Sequence, residues 1–83
     1  MERYYFTFRS VTAAMEGQEA LQKTGIRCGM VRTPAPLRKN GCGYCLYVSR
    51  AGFSMGEAIL RRSRIPYERI FRRTEDGWKE LNS

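Results

Sequence analysis

The chain opens on an alternation in which Tyr4, Phe6 and Phe8 interleave with Tyr5, Thr7 and Arg9. A period of two rich in aromatic residues predicts a first strand over residues 3–10 with one buried face. The period then lengthens. Ser10 is placed to cap a helix starting at Val11, whose apolar positions Val11, Ala14, Met15 and Leu21 follow a helical spacing that Gly17 and Gln18 interrupt. Gly25 followed by Ile26 supplies a left-handed stop and the apolar residue that goes with it. Residues 26–33 read as a second strand, closed by Pro34-Ala35-Pro36, which removes ladder donors and holds the chain extended. After a long loop, Tyr44, Leu46 and Val48 alternate with Cys45, Tyr47 and Ser49, predicting a third strand over residues 44–50 that forms a hairpin with the second.

A second helix is expected from the capping box Ser54/Glu57, with Phe53 and Ala58 as its hydrophobic staple. It carries Met55, Ile59 and Leu60, turns basic at Arg61-Arg62-Ser63-Arg64, where cations suit the helix dipole, and must stop before Pro66. Residues 67–73 read as a fourth, exposed strand. The segment 74–83 holds Trp78 and Leu81 but is otherwise polar, which fits a short helical turn or a frayed tail. The pattern therefore predicts an α+β, ferredoxin-like βαββαβ domain over residues 1–73, with a four-stranded antiparallel sheet and two helices on one face, followed by a C-terminal tail over 74–83. Function does not follow from that arrangement.

Composition narrows the classes. A chain of 83 residues has room for one modest core, and no stretch approaches the roughly 18 apolar residues of a membrane span. The start, Met1-Glu2-Arg3-Tyr4-Tyr5, lacks the apolar run and cleavage site of a secretory signal, so a cytoplasmic protein is expected. The net charge is +7 and uneven: residues 38–73 hold nine Lys and Arg against Glu57 and Glu68. Arg61, Arg62, Arg64, Arg72 and Arg73 are the candidates for steering an acidic partner.

With no His and three Cys, reactive side-chain chemistry centres on thiols, and Asn40-Gly41-Cys42-Gly43-Tyr44-Cys45 is the candidate site. Gly41 and Gly43 leave Cys42 without neighbouring side chains, and Arg38 and Lys39 are placed to favour its thiolate. Cys45 falls inside the strand pattern, opposite in phase to Tyr44 and Leu46, and reads either as a small buried hydrophobe or as a resolving thiol able to form a disulfide with Cys42. Cys28 lies on strand two, where hairpin pairing places it near Ser49 and away from Cys42. One CxxC supplies half the ligands of a structural zinc site, so no metal is expected within one chain, and no cofactor is called for. A thioredoxin-type site would put the CxxC at a helix N-terminus, whereas this one precedes a strand.

In order and spacing, the aromatic first strand Tyr4-Tyr5-Phe6-Thr7-Phe8, the helix closing on Gly25-Ile26, Thr33-Pro34, Cys42-Gly43 and Ile65-Pro66-Tyr67-Glu68 before Ile70-Phe71 form one set. It resembles the selenium/sulfur carrier-like family, a domain of unknown function, from residue 3 to about 72. The resemblance implies that Cys42 carries sulfur or selenium, and that the protein is a carrier more than a stand-alone enzyme. It would take the chalcogen from a donor such as a cysteine desulfurase and pass it to an acceptor protein. Where that family has a serine-rich run this chain has Arg38-Lys39-Asn40-Gly41, and it adds Cys45.

Two other readings stay open. One is a non-catalytic RNA- or protein-binding module, with Tyr5, Tyr47 or Tyr67 and arginines on the sheet; no RNP1-like segment accompanies them, so nucleic acid is the lesser expectation. The other is a dithiol redox protein using the Cys42–Cys45 pair. Strands two and four, expected at the sheet edges, offer pairing between chains and hence a homodimer.

Overall fold

A computed structural model of the chain describes residues 2–38 and 43–81. The elements run β1 (Arg3–Phe8), α1 (Val11–Lys23), β2 (Cys28–Arg32), a short 3-10 turn (Ala35–Leu37), β3 (Tyr44–Ser49), α2 (Arg50–Arg62), β4 (Arg69–Thr74) and β5 (Gly77–Leu81). The class is α+β, with two helices and a five-stranded antiparallel sheet in the order β2-β3-β1-β4-β5. The expected four strands are thus corrected to five, because the segment read as a helical turn or tail pairs with β4 as a strand, Arg73 opposite Trp78 and Phe71 opposite Glu80. Strand four is accordingly an interior strand and not the exposed edge anticipated for it. Its Ile70 and Phe71 are buried. Among the described residues no helix is long and apolar enough to cross a membrane.

Both helices cover the sheet face that carries Tyr4, Phe6 and Phe8. Ala14 and Leu21 of α1 and Leu60 of α2 pack there with Leu46, Val48 and Ile70. The first strand is buried on both faces, contrary to the one-sided expectation, since Tyr5 and Thr7 are also buried. β1 lies between β3 and β4, and Tyr5 is covered by a second cluster with Leu37, Cys45 and Phe71.

Helix α1 begins where its sequence says it should: the Ser10 hydroxyl accepts from the Ala13 N–H at 3.2 Å. It ends in a Schellman arrangement, with Ile26 N–H donating to Leu21 O and Gly25 N–H to Gln22 O, at 3.0 Å each, and Gly25 at φ +82°. Its buried side is Ala14, Gly17 and Leu21, while Val11 and Met15, read as core positions, are exposed. Gly17 is what allows the helix to approach. A Cβ there would lie 3.0 Å from Leu46, 3.2 Å from Leu60 and 3.2 Å from Phe8, all buried side chains with no outward room. Gly17→Ala is therefore expected to lose about 1 kcal/mol of stability, because overpacking of about 1–3 kcal/mol outweighs a gain of about 1 kcal/mol in helix propensity. Thermal unfolding of the two proteins checks this, and a raised Tm would show that the core yields around the added methyl.

Helix α2 starts earlier than its capping box suggests. Its N-cap is Ser49, so β3 passes straight into the helix and Ser54 and Glu57 fall in its interior. Glu57 instead accepts from Arg61 and from the Tyr67 hydroxyl, each at 3.0 Å. The helix closes with Arg64 in the left-handed region, φ 57°, and Ile65 N–H donating to Leu60 O at 3.0 Å. After Pro34 the chain also departs from the extended run expected of it. Ala35–Leu37 is a 3-10 turn, closed by Leu37 N–H to Pro34 O at 2.9 Å, and it buries Leu37.

Candidate functional site

The β2–β3 hairpin carries the candidate loop, and its register is Cys28 opposite Val48, Met30 opposite Leu46 and Arg32 opposite Tyr44. Its base is tied by Thr33 N–H donating to Gly43 O at 3.0 Å. Gly43 is held in a narrow place: a Cβ would lie 3.2 Å from the Thr33 hydroxyl oxygen and 3.3 Å from the Phe8 carbonyl. Lys39, Gly41 and Cys42, three of the residues assigned to the site, lie outside the described residues. Arg38 is exposed and closes the 3-10 turn through its N–H to Ala35 O, 3.1 Å.

Cys45 is fully buried, facing away from the helices under Leu37 and beside Tyr5 and Phe71. Burial pushes its thiol up to about 11, and the neighbouring Thr33 hydroxyl draws it only part of the way back. That hydroxyl makes no hydrogen bond of ordinary length and angle among the described residues. Cys28 sits on the opposite face of the sheet, half-buried against the helix-side core, where burial also raises its thiol. Its sulfur has one weak contact, to Gln18 O at 3.9 Å. The sheet therefore separates Cys28 from Cys45. Among the described residues no three Cys, Asp or Glu side chains gather as a metal set.

The five arginines assigned to partner binding do not form one patch. Arg61 is bound to Glu57 at 3.0 Å and to Tyr67 at 3.1 Å, whereas Arg62 and Arg64 are exposed at the end of α2. Arg72 pairs in register with Tyr4 and lies on the helix side of the sheet. Arg73 lies on the other side, its guanidinium over the Trp78 ring at 4.7 Å.

A family model described as "Putative Se/S carrier protein-like" matches residues 3–72, from the first residue of β1 into β4. The chain belongs to that Se/S carrier-like family. No curated protein and no solved structure matches it. The family match reaches across both helices and stops short of β5, so in this Se/S carrier-like protein the fifth strand lies beyond the matched region. Sequence reasoning quoted Thr33 only as part of the Thr33-Pro34 motif and passed over Leu37, and it placed neither beside Cys45. Thr33 could have been found from its place at the end of strand two, whereas Leu37 carries no local signal because its burial depends on a turn folding back onto the sheet.

Proposed function

We propose that this Se/S carrier-like protein carries sulfur or selenium on Cys42 and delivers it by protein contact. The observation that supports Cys42 over the other cysteines is that Cys45 is buried and Cys28 half-buried against packed clusters on opposite faces, with both thiols held toward the protonated form. A carrier thiol has to ionise and meet a partner, so the chemistry falls to Cys42. In the loading step the Cys42 thiolate attacks the terminal sulfur of a donor persulfide. A new S–S bond forms on Cys42 as the donor's S–S bond breaks and its thiolate leaves, with no net oxidation. An acceptor nucleophile then takes the terminal sulfur and frees the Cys42 thiolate; with selenium the carried species is a selenosulfide.

Arg38 and Lys39 favour the thiolate in this reading, Gly41 and Gly43 leave room for the partner, and exposed Arg62, Arg64 and Arg73 steer acidic partners, with Arg61 and Arg72 as more constrained contributors. Cys45 acts only if the start of β3 opens: its attack on a Cys42 persulfide would form the Cys42–Cys45 disulfide and release hydrosulfide. The frame for this chemistry is a ferredoxin-like unit extended by β5, and the donor class is a cysteine desulfurase.

Incubation with a cysteine desulfurase and free cysteine, followed by intact-mass spectrometry without reductant, tests the reading. We expect an adduct of one sulfur atom that maps to Cys42, is removed by reductant, persists in Cys45→Ala and is absent from Cys42→Ala. An adduct that survives Cys42→Ala, or none in wild type beside an active desulfurase, would overturn it.

A further inference from the structure

No residue of α1 or α2 enters the cluster on the second face of the sheet. That face carries aromatic rings beneath guanidinium groups. Tyr5 at its centre meets Tyr47 at 5.7 Å between ring centroids and presents an edge contact to Trp78 at 4.9 Å. Arg3 lies over Tyr47 at 4.6 Å, Arg69 over Phe71 at 4.7 Å and Arg73 over Trp78 at 4.7 Å. The register produces the arrangement: Arg3, Tyr5 and Thr7 of β1 stand beside Ser49, Tyr47 and Cys45 of β3 and Arg73, Phe71 and Arg69 of β4.

The charge on this face is one-sided. Glu80 is the only carboxylate on its described strand positions, and Arg69 binds it at 2.7 and 3.1 Å. Arg3 and Arg73 are exposed and have no carboxylate within ion-pair distance among the described residues. Glu75 and Asp76, in the turn between β4 and β5, bound the surface at one end. A sheet face free of helices, with half-buried Tyr47 and Trp78 under stacked guanidiniums, and with two of these guanidiniums having no carboxylate partner among the described residues, matches a polyanion that also has flat apolar faces. Single-stranded nucleic acid has both features, because its phosphates pair with arginine and its unstacked bases lie on aromatic or guanidinium planes. An acidic peptide has only the charge.

We propose that this face binds single-stranded nucleic acid, with Arg3 and Arg73 on phosphates and bases stacked at Tyr47 and Trp78. The proposal does not rest on Cys42 chemistry.

Fluorescence anisotropy with a short labelled oligoadenylate, over a series of KCl concentrations, tests it. Trp78→Ala is expected to weaken binding roughly 5- to 150-fold, as loss of one stacked base does. Because Trp78 also supports β5, the paired variant Arg3→Glu/Arg73→Glu, at two exposed positions, provides a second measurement. It is expected to weaken binding and to flatten the slope of log K against log salt by about 1.4, at about 0.7 per phosphate contact. Arg62→Ala/Arg64→Ala at the end of α2 should leave the slope unchanged. Four results would overturn the proposal: no binding at low salt, a slope unmoved in the Arg3/Arg73 variant, equal affinity for a duplex, or displacement by polyglutamate as effective as by unlabelled oligoadenylate. The last would identify the face as one for acidic protein.

Discussion

Phe6→Ala is expected to lose about 3–5 kcal/mol of unfolding free energy, the usual cost of emptying a buried aromatic site. Phe6 is wholly inaccessible and sits in the middle of β1, with Leu46 of β3 on one side and Ile70 of β4 on the other. Its ring stacks on Phe53 of α2 at 5.7 Å and meets Tyr67 edge-on at 5.3 Å. One side chain thus joins three strands to a helix and to the segment leading into β4. Removing it leaves a void that neighbours on the hydrogen-bonded sheet cannot close. A domain of this length has a total stability of roughly 4–12 kcal/mol, so the loss removes between about a quarter and all of it. Urea denaturation checks this through a large fall in the midpoint at unchanged m-value. A loss below about 1 kcal/mol would show that the core re-forms around the gap, against close packing.

Cys45 is expected to react with iodoacetamide at pH 8 about 100-fold more slowly in the native protein than after unfolding, from protonation alone. The reactive species is the thiolate, and a thiol moved from 9.0 to about 11 has about a hundredth of the thiolate at that pH. Leu37 and the surrounding cluster slow it further by excluding the reagent. Mass spectrometry of alkylated peptides over time gives the rate at each cysteine separately. The same shift fixes a pH dependence. The folded-state value lies above the unfolded one, so the contribution of the Cys45 thiol to stability is present in full below pH 9 and is lost as pH rises through about 11. Stability should fall more steeply over that window in wild type than in Cys45→Ala. Native alkylation of Cys45 as fast as that of the unfolded chain would remove the ground for assigning the carrier chemistry to Cys42 by exclusion.

Some of this architecture was legible from short-range pattern. The Ser10 cap, the Gly25-Ile26 stop and the β2–β3 hairpin rest on contacts between residues close in sequence, and the structure has all three. Two local signals misled or went unread. Ser54 and Glu57 have the spacing of a capping box, but β3 runs into the helix at Ser49, and Glu57 binds Arg61 and Tyr67 instead. Asp76-Gly77, followed by Trp78 and Glu80 alternating with Lys79 and Leu81, has the turn residues and period of a hairpin. In the fold Gly77 takes φ +120° and the segment becomes β5.

The candidate site divides along the same line. The sequence by itself determined that three cysteines and no histidine make thiols the candidate reactive groups, that Cys42 stands between two glycines and shortly after Arg38 and Lys39 in the chain, and that Cys45 has the opposite phase to Leu46 on its strand. These follow from residue type and from the fixed period of an extended chain. Only the tertiary structure decided that Cys45 is sealed and Cys28 is on the other face, and that Arg72 and Arg73 lie on opposite sides of the sheet. It also brought Arg3, Tyr47, Arg73 and Trp78 onto one surface. The reason is that burial and juxtaposition belong to the partners across strands: Leu37 reaches Cys45 through a turn, and Trp78 reaches Tyr5 from the far end of the chain. Strand period gives a residue its side of the sheet, but not what covers that side.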